Sequence, residues 1–269
     1  MILLLGGTSD SVEMLKLLID EGFQVIFSMA TQTPMELPGS RLVRVRRGAM
    51  NEDDMEQAVI YEKVDILIDA THPYAAEVTR NARKVSAKTS IRYFRLTRTP
   101  VVTNFANVIL AKDHVDAAKR ALQLGGNILV TIGIRNLDVY VSVCKGHDSK
   151  LIVRALPNHD SLQALSNLGV PAANIITAKG PFSYEDNVRA IREFGIKTLV
   201  TKDSGTRGGT EEKIRAAQDE GCNVIVVQRP ALDDATGSFS EPQELLFAVR
   251  DYLTTMSSNR EGAASRTIL

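Results

Sequence analysis

The sequence predicts an α/β fold with two domains, each a mainly parallel sheet flanked by helices. Short runs rich in Val, Ile and Leu alternate with amphipathic segments of helical period along most of the 269 residues. This alternation stops near Pro100 and then restarts, which indicates two domains. A hydrophobic fraction of 44% with only 5% aromatic residues fits a core of buried parallel strands.

The first domain is predicted to span residues 1–100. Apolar Val12, Leu15 and Leu18 share one face of its first helix, and Gly22 is a typical C-terminal cap. We predict strands at 2–5, 23–27, 42–45, 65–68 and 91–96, and helices at 10–21, about 53–61 and 74–88.

The second domain is predicted to span residues 101–256. Gly125 and Gly126 end its first helix, and Asn158 is placed to cap another. We predict strands at 108–110, 128–131, 151–154, 175–178, 197–201 and 223–227, and helices at 113–124, about 160–168, 184–194, 209–220 and about 242–254. Residues 257–269, rich in Ser, Asn, Gly and Ala, are predicted to be a disordered tail.

The charge balance and the cysteine count narrow the classes of function. The chain has 32 basic and 32 acidic residues, and this zero net charge argues against a general nucleic-acid or membrane-surface binder. Cys144 and Cys222 lack metal-ligand spacing, and so few cysteines fit a cytoplasmic protein. The apolar start is interpreted as a strand rather than a signal peptide, and no run approaches the ~20 apolar residues of a membrane helix.

Polar, glycine-containing segments follow four of the predicted strands. They are Gly6–Asp10, Asp69–Tyr74, Thr131–Gly133 and Thr201–Gly205. Ligands of open parallel sheets bind outside the carboxyl ends of the strands. Because each domain contributes two of these segments, we expect one site in the cleft between the domains.

The segment Gly6–Ser9 connects a strand to a helix in the manner of a phosphate-binding loop. Glycine lets a ligand approach the backbone closely, and free N–H groups and the helix dipole attract an anion. The complete G-x-G-x-x-G spacing is absent. The alternative is a tight turn in which Ser9 or Asp10 caps the helix.

The end of the second strand bears on the choice between NADPH and NADH. NAD-selective folds usually carry an acid there, and residues 27–33 contain none. The hydroxyls present suit a 2′-phosphate better than a ribose diol, so NADPH is predicted, with NADH as the alternative. Arg46 and Arg47 could supply charge from the next loop, whereas a solvated strand face explains Arg41 and Arg44 better.

His72 is the histidine whose sequence setting predicts a function. Pro73 suits the first turn of a helix and favours extended backbone at His72. The His72 ring is therefore expected at the carboxyl edge of the sheet, near Thr71 and Tyr74 and exposed to a cleft. A surface or capping histidine is the alternative.

Lys179, Lys202 and Asp203 follow two strands of the second domain. The lysines offer cations to anionic groups, and Asp203 offers a carboxylate in the same loop as Lys202. Gly205 lets backbone amides approach a ligand. The alternative is a flexible loop capped by Thr210.

Together these segments resemble precorrin-6A reductases, including the cobalt-precorrin-6A form of the anaerobic cobalamin pathway. The matching pieces keep the family's order across about residues 1–230: Leu5–Thr8, Asp69–Ala75, Tyr93–Leu96, Thr131–Gly133, Lys179–Phe182 and Thr201–Gly205. The resemblance implies two Rossmann-like domains that transfer hydride from a reduced nicotinamide nucleotide to a ring carbon–carbon double bond. The implied substrate is a macrocycle with many carboxylates. Family members often carry Gly-Arg after the second strand, where this chain has Thr31-Gln32.

We predict three groups of site residues from the strand ends and the resemblance. The catalytic candidates are Asp203, Lys202 and His72. The cofactor-binding candidates are Gly6, Gly7, Thr8, Ser9, Ser28 and Thr31. The substrate-binding candidates are Tyr74, Arg95, Thr131, Gly133, Arg154, Lys179, Ser204 and Gly205. A direct hydride step needs no covalent intermediate and no metal, so none is expected.

Two other functions fit a two-domain α/β protein with cations at its strand ends. One is a non-catalytic sensor that closes around an anionic small molecule and does not oxidise NAD(P)H. The other is a nucleotide-sugar transferase, which would bind a nucleotide sugar and no reduced nicotinamide.

Overall fold

The computed structural model describes residues 1–30, 35–231 and 237–266, with side chains described as far as Met256. It divides into two compact units, one formed by Met1–Thr97 with Pro230–Leu269 and the other by Arg98–Arg229. Each unit contains a six-stranded sheet in which all paired strands are parallel. The predicted α/β fold is confirmed.

The first unit is built from the start and the end of the chain, numbered here in chain order. It contains β1 (Ile2–Leu5), α1 (Ser9–Asp20), β2 (Val25–Met29), β3 (Val43–Arg47), α2 (Glu52–Tyr61), β4 (Ile66–Asp69), α3 (Ala76–Thr89), β5 (Arg92–Leu96), β12 (Ser238–Phe239) and α9 (Pro242–Arg266). The strand order is β12-β5-β4-β1-β2-β3. The apolar strand β1 is fully buried at the centre because helices cover both faces of a parallel sheet.

The second unit holds the remaining elements. They are β6 (Val108–Ala111), α4 (His114–Leu124), β7 (Asn127–Val130), α5 (Leu137–Cys144), β8 (Leu151–Ala155), α6 (His159–Asn167), β9 (Ile175–Thr177), α7 (Tyr184–Phe194), β10 (Ile196–Lys202), α8 (Thr210–Asp219) and β11 (Asn223–Val227). The strand order is β6-β11-β10-β7-β8-β9. The helix α5 was not predicted; its Asn136 cap makes no side-chain hydrogen bond, and Leu137 and Tyr140 are fully buried.

The C-terminal segment differs from the prediction in two ways. Residues from 230 onward belong to the first unit, so the expected second domain of 101–256 is not continuous. The short strand β12 pairs with β5, and Leu245 and Val249 of α9 are buried in the core of the first unit with Leu15 and Leu18. The backbone is also helical through Arg266, where a disordered tail was predicted from residue 257. None of the described helices is long and apolar enough to cross a lipid bilayer.

Each sheet reverses its direction of winding between two central strands. The reversal lies between β1 and β4 in the first unit and between β7 and β10 in the second. Open α/β sheets bind ligands at such a reversal, outside the carboxyl ends of the strands. The four polar segments predicted from the sequence follow these four strands, two in each unit.

Candidate functional site

The loop after β1 is held by Ser11, which the sequence analysis did not single out. Gly7 N and Thr8 N each donate to Ser11 Oγ at 3.1 Å, and Ser11 N donates to Thr8 Oγ1 at 3.1 Å. This is a reciprocal capping box with Thr8 as the N-cap, so the alternative that Ser9 or Asp10 caps the helix is wrong. This capping box could have been predicted from the sequence, because Ser11 places a hydroxyl three residues after Thr8.

The two glycines of this loop are required for different reasons. A Cβ on Gly6 would lie 2.5 Å from the Phe27 ring and 2.8 Å from Ser11 Oγ, so core packing excludes any side chain there. Gly7 has φ of 112°, a left-handed conformation that favours glycine. Exposed Ser9 follows at the N-terminus of α1, where a phosphate would meet the positive end of the helix dipole. The N–H groups of Gly6, Gly7 and Thr8, expected to be free, instead donate to Ser28 O and Ser11 Oγ. The fit to a pyrophosphate therefore rests on the open glycine backbone and the N-terminus of α1.

The end of β2 gives less support to its two candidates. Ser28 is 5% exposed, and its Oγ contacts Met50 Sδ at 3.2 Å within the core, which makes a ribose contact a poor assignment for this hydroxyl. Thr31 lies outside the described residues. The exposed Arg47 lies beside Met29 in the sheet register, whereas Arg44 forms an ion pair with Glu62.

A buried ion pair supports the loop after β4. Arg95 and Asp69 are 3% and 0% exposed, and Arg95 Nη1 donates to the Asp69 carboxylate. Arg95 also donates to the hydroxyl and the carbonyl oxygen of Thr71, at 3.2 and 3.1 Å. Tyr93 and Thr79 donate to the second Asp69 oxygen, at 3.2 and 2.7 Å. Arg95 was predicted to bind substrate; its burial makes it instead a support for this loop.

The supported loop carries His72 and Tyr74, both half-buried. Tyr74 N donates to His72 Nδ1 at 3.3 Å, and the two rings lie 5.7 Å apart. A neutral His72 ring with Nδ1 as acceptor carries its proton on Nε2. The helix α3 begins at Ala76, so the prediction that Pro73 occupies its first turn is wrong. In the same unit, Thr8 Oγ1 donates to Ala70 O at 3.0 Å and joins this loop to the loop after β1.

In the second unit, Asp203 organises the loop after β10. The residue is 2% exposed, and one carboxylate oxygen accepts from Val101 N and Val102 N at 2.9 and 3.0 Å. The other accepts from Gly205 N at 3.0 Å and from Arg229 Nη2 at 3.3 Å. These bonds correspond to a structural cap. The catalytic role predicted for Asp203 is therefore less well supported than a structural role in holding this loop.

Arg229 completes the same arrangement and was missed by the sequence analysis. Its Nε donates to Asp203 O at 2.9 Å, and its Nη1 donates to Arg98 O at 2.6 Å. Arg98 in turn donates to Ser204 O at 2.9 Å. Gly205 has φ of 72°, and a Cβ there would lie 2.8 Å from Arg98 Cβ. The segments that begin and end the second unit are thus both hydrogen-bonded to the loop after β10.

The remaining candidates of the second unit differ in burial. Burial and the nearby Arg135 charge lower the pKa of Lys202 to about 8. Thr131 Oγ1 donates to Val200 O at 3.2 Å. Gly133 has φ of 82° in open space, and Lys179 is exposed. These four candidates therefore lie at or just beyond the strand ends as predicted, although the Thr131 hydroxyl is engaged within the sheet.

Arg154 is the most buried cation among the candidates of the second unit, at 6% exposure. Its guanidinium lies 4.1 Å from the centre of the Phe182 ring, and Nη1 donates to Asn187 Oδ1 at 2.6 Å. Its Nε is buried and has no hydrogen-bond partner among the described residues. Burial lowers the pKa of the Arg154 guanidinium to about 10.

Comparison with known proteins gives a consistent result. The family model described as "Precorrin-6x reductase CbiJ/CobK" matches residues 1–250. The chain belongs to this family. The cobalt-precorrin-6A reductase of Priestia megaterium is 31% identical over 251 residues, which cover 93% of this chain and 98% of that protein. The cobalt-precorrin-6A reductase of Methanocaldococcus jannaschii is 35% identical over 233 residues, which cover 86% of this chain and 91% of that protein.

A solved structure described as "CobK precorrin-6A reductase" superposes with a TM-score of 0.77 at 25% identity, covering 93% of this chain and 96% of that one. The resemblance inferred from the ordered strand-end segments is thereby confirmed. As a member of the precorrin-6x reductase family, the chain is a reductase of cobalamin biosynthesis with a nicotinamide cofactor and a tetrapyrrole substrate. Neither the sensor nor the nucleotide-sugar transferase is favoured.

Proposed function

We propose that this protein reduces a carbon–carbon double bond of precorrin-6A or cobalt-precorrin-6A with hydride from NADPH, in the cytoplasm. The observation that carries the proposal is the loop after β1. Its left-handed Gly7 at the N-terminus of α1 sits at the reversal of the first sheet, hydrogen-bonded through Thr8 to the loop that bears His72. Both cysteines are free thiols, in keeping with a reducing compartment.

The cofactor supplies the hydride when bound, and this chain's residues hold and orient it. Gly6, Gly7, Thr8 and Ser9 would hold the pyrophosphate. Gly7 keeps the backbone free of a side chain, and the helix dipole of α1 offsets the negative charge. The proposal for NADPH rests on the absence of an acid at the end of β2 within the described residues and on Arg46 and Arg47 at the end of the neighbouring strand.

Reduction of the double bond adds a hydride to one carbon and requires one proton to neutralise the resulting negative charge. Lys202, with a pKa of about 8, is the proposed proton donor, and the Nε2–H of neutral His72 would donate a hydrogen bond to the developing negative charge. A group with a pKa near the working pH is well suited to this task. Tyr74, Lys179 and Arg154 would contact the macrocycle, and the cations would offset its carboxylates.

Two measurements on the purified protein test this function. Calorimetric titration with NADPH and with NADH measures binding of each cofactor, and NADPH is expected to bind more tightly. Addition of precorrin-6A or of its cobalt form should then cause loss of nicotinamide absorbance. Cofactor binding without oxidation in the presence of either tetrapyrrole would support the sensor instead.

A further inference from the structure

We propose that Arg154 and Lys213 form a subsite for one carboxylate of the macrocycle, on the side of the second sheet covered by α7 and α8. The identity of the ligand rests on the proposed function. Lys213 lies within the amphipathic pattern of α8 and was not a candidate from the sequence. The subsite is confined to the second unit.

The two cations lie on the same side of the sheet. Ile152 packs in one core cluster with Ala190 of α7 and Ile214 of α8. Because side chains alternate along a strand, Arg154 points to the side that Ile152 faces. Its hydrogen bond to Asn187 of α7 agrees with this direction. Lys213 precedes Ile214 on α8 and is 8% exposed.

Arg154 has donors to offer to a carboxylate. Phe182 covers one face of the guanidinium, and Nη1 is used by Asn187. Nε is buried without a partner, and Arg154 forms no ion pair among the described residues. A guanidinium can hold a carboxylate through two parallel hydrogen bonds, so a ligand carboxylate would satisfy Nε.

Lys213 adds a second charge on the same side of the sheet. Its burial, followed by the charge of Arg154, lowers the pKa of Lys213 to about 8, which agrees with their proximity. The acids that act on this pair are Glu212 and Asp186, and neither forms an ion pair with Arg154 or Lys213 among the described residues. Glu212 Oε2 is buried without a hydrogen-bond partner, and Asp186 accepts from Ser183 N in the cap of α7.

Burying two like charges that form no ion pair among the described residues costs free energy, even with Glu212 and Asp186 nearby. A bound carboxylate would offset that cost. The cofactor phosphates are the other anions available, but the loop after β1 in the first unit has the glycine backbone and helix N-terminus that suit them. A carboxylate of the macrocycle is therefore the ligand we assign to Arg154 and Lys213.

Titration of a polycarboxylated porphyrin, followed by its absorbance, tests the subsite. Lys213→Met and Arg154→Met should each raise the Kd for the porphyrin about tenfold or more, the effect of losing a charged hydrogen bond. Lys213→Arg should keep most of the affinity, which guards against a variant that fails to fold. Lys119→Met on α4 removes an exposed lysine and should leave the Kd unchanged. The Kd for NADPH should not change in any variant.

Equal porphyrin affinity in wild type, Lys213→Met and Arg154→Met would overturn the subsite, as would a loss of NADPH affinity in place of porphyrin affinity. A wild-type protein that does not bind the porphyrin at all would overturn it too. Failure of the proposed function looks different: the porphyrin binds in a Lys213-dependent manner, but precorrin-6A causes no oxidation of NADPH. With the true substrate, Lys213→Met should raise KM and leave kcat nearly unchanged.

Discussion

Asp203 accepts hydrogen bonds from Val101, Val102, Gly205 and Arg229, and it is almost fully buried. Asparagine is similar in shape but carries no charge, so Asp203→Asn should weaken all of these bonds. We expect it to lower the free energy of unfolding by about 2 kcal/mol or more, since hydrogen bonds to charged groups contribute about 1.5–3 kcal/mol each. Thermal melting measures the loss, and exposed Asp148→Asn is the control. A normal melting temperature with a fall of more than about tenfold in kcat would restore the catalytic role of Asp203.

Gly7 provides a second test at the scale of one residue. Gly7→Val places a branched side chain at φ of 112° in the proposed phosphate loop, and we expect it to raise the Kd for NADPH at least about tenfold in a folded protein. Gly22→Val is the matched control, because Gly22 also has positive φ, at 81°, but lies in open space at the other end of α1. The two variants should lose similar stability, and only Gly7→Val should lose cofactor affinity. Equal NADPH affinity in both would remove this loop from the site.

At the scale of an element, the loop after β4 depends on the buried ion pair between Arg95 and Asp69. Arg95→Met would leave the Asp69 carboxylate buried without its cation, and breaking a buried pair costs about 3–5 kcal/mol. Melting followed by circular dichroism should show this loss, whereas Met at exposed Arg41 should have little effect. A stable Arg95→Met variant with a raised KM for the tetrapyrrole would instead support direct substrate binding by Arg95.

The sequence predicted the order of strands and helices well where apolar runs were long and polar residues marked their ends. It missed α5, which lacks a capping hydrogen bond, and β12, which has only two residues. The strand-end loops were predicted because Gly, Thr, Ser and Asp interrupt an apolar pattern. The roles of individual side chains were harder, because neighbouring residues on a strand point to opposite faces. Arg95 thus proved buried. Nothing in the amphipathic pattern of α8 indicated that Lys213 would be buried too.

At the scale of the whole molecule, the two sheets share one arrangement. Each sheet has three strands on either side of its reversal. One edge strand in each sheet is out of sequence with its neighbours: β12 lies beside β5 in the first unit, and β6 lies beside β11 in the second. In the first unit that strand is β12, which arrives only after the chain has completed the second unit. A prediction that assumes continuous domains cannot anticipate this return, because a two-residue strand leaves almost no pattern. The burial of Phe94 beside Phe239 and Tyr252 becomes evident only in three dimensions.

The burial of Lys213 also predicts how its contribution to stability depends on pH. The pKa of Lys213 is lowered from 10.5 to about 8 by folding, chiefly by burial. Between pH 8 and 10.5 the unfolded chain therefore binds more protons at this site than the folded one, and the contribution of Lys213 to stability rises with pH across that window. Below it the folded protein carries the buried charge at a cost of roughly 3 kcal/mol.

Lys213→Met should accordingly be more stable than wild type at pH 7, by up to roughly 3 kcal/mol, with the difference shrinking as pH rises above about 8. Lys202 is present in both proteins, and exposed Lys119→Met should match wild type at every pH. Urea unfolding across this pH range measures the effect. Adding the porphyrin should narrow or reverse the difference in stability between wild type and Lys213→Met at pH 7. A ligand that binds wild type more tightly stabilises wild type more. Lower stability of Lys213→Met at pH 7 without ligand would mean that a group within the protein already compensates the charge of Lys213. A ligand carboxylate would then not be needed to compensate it.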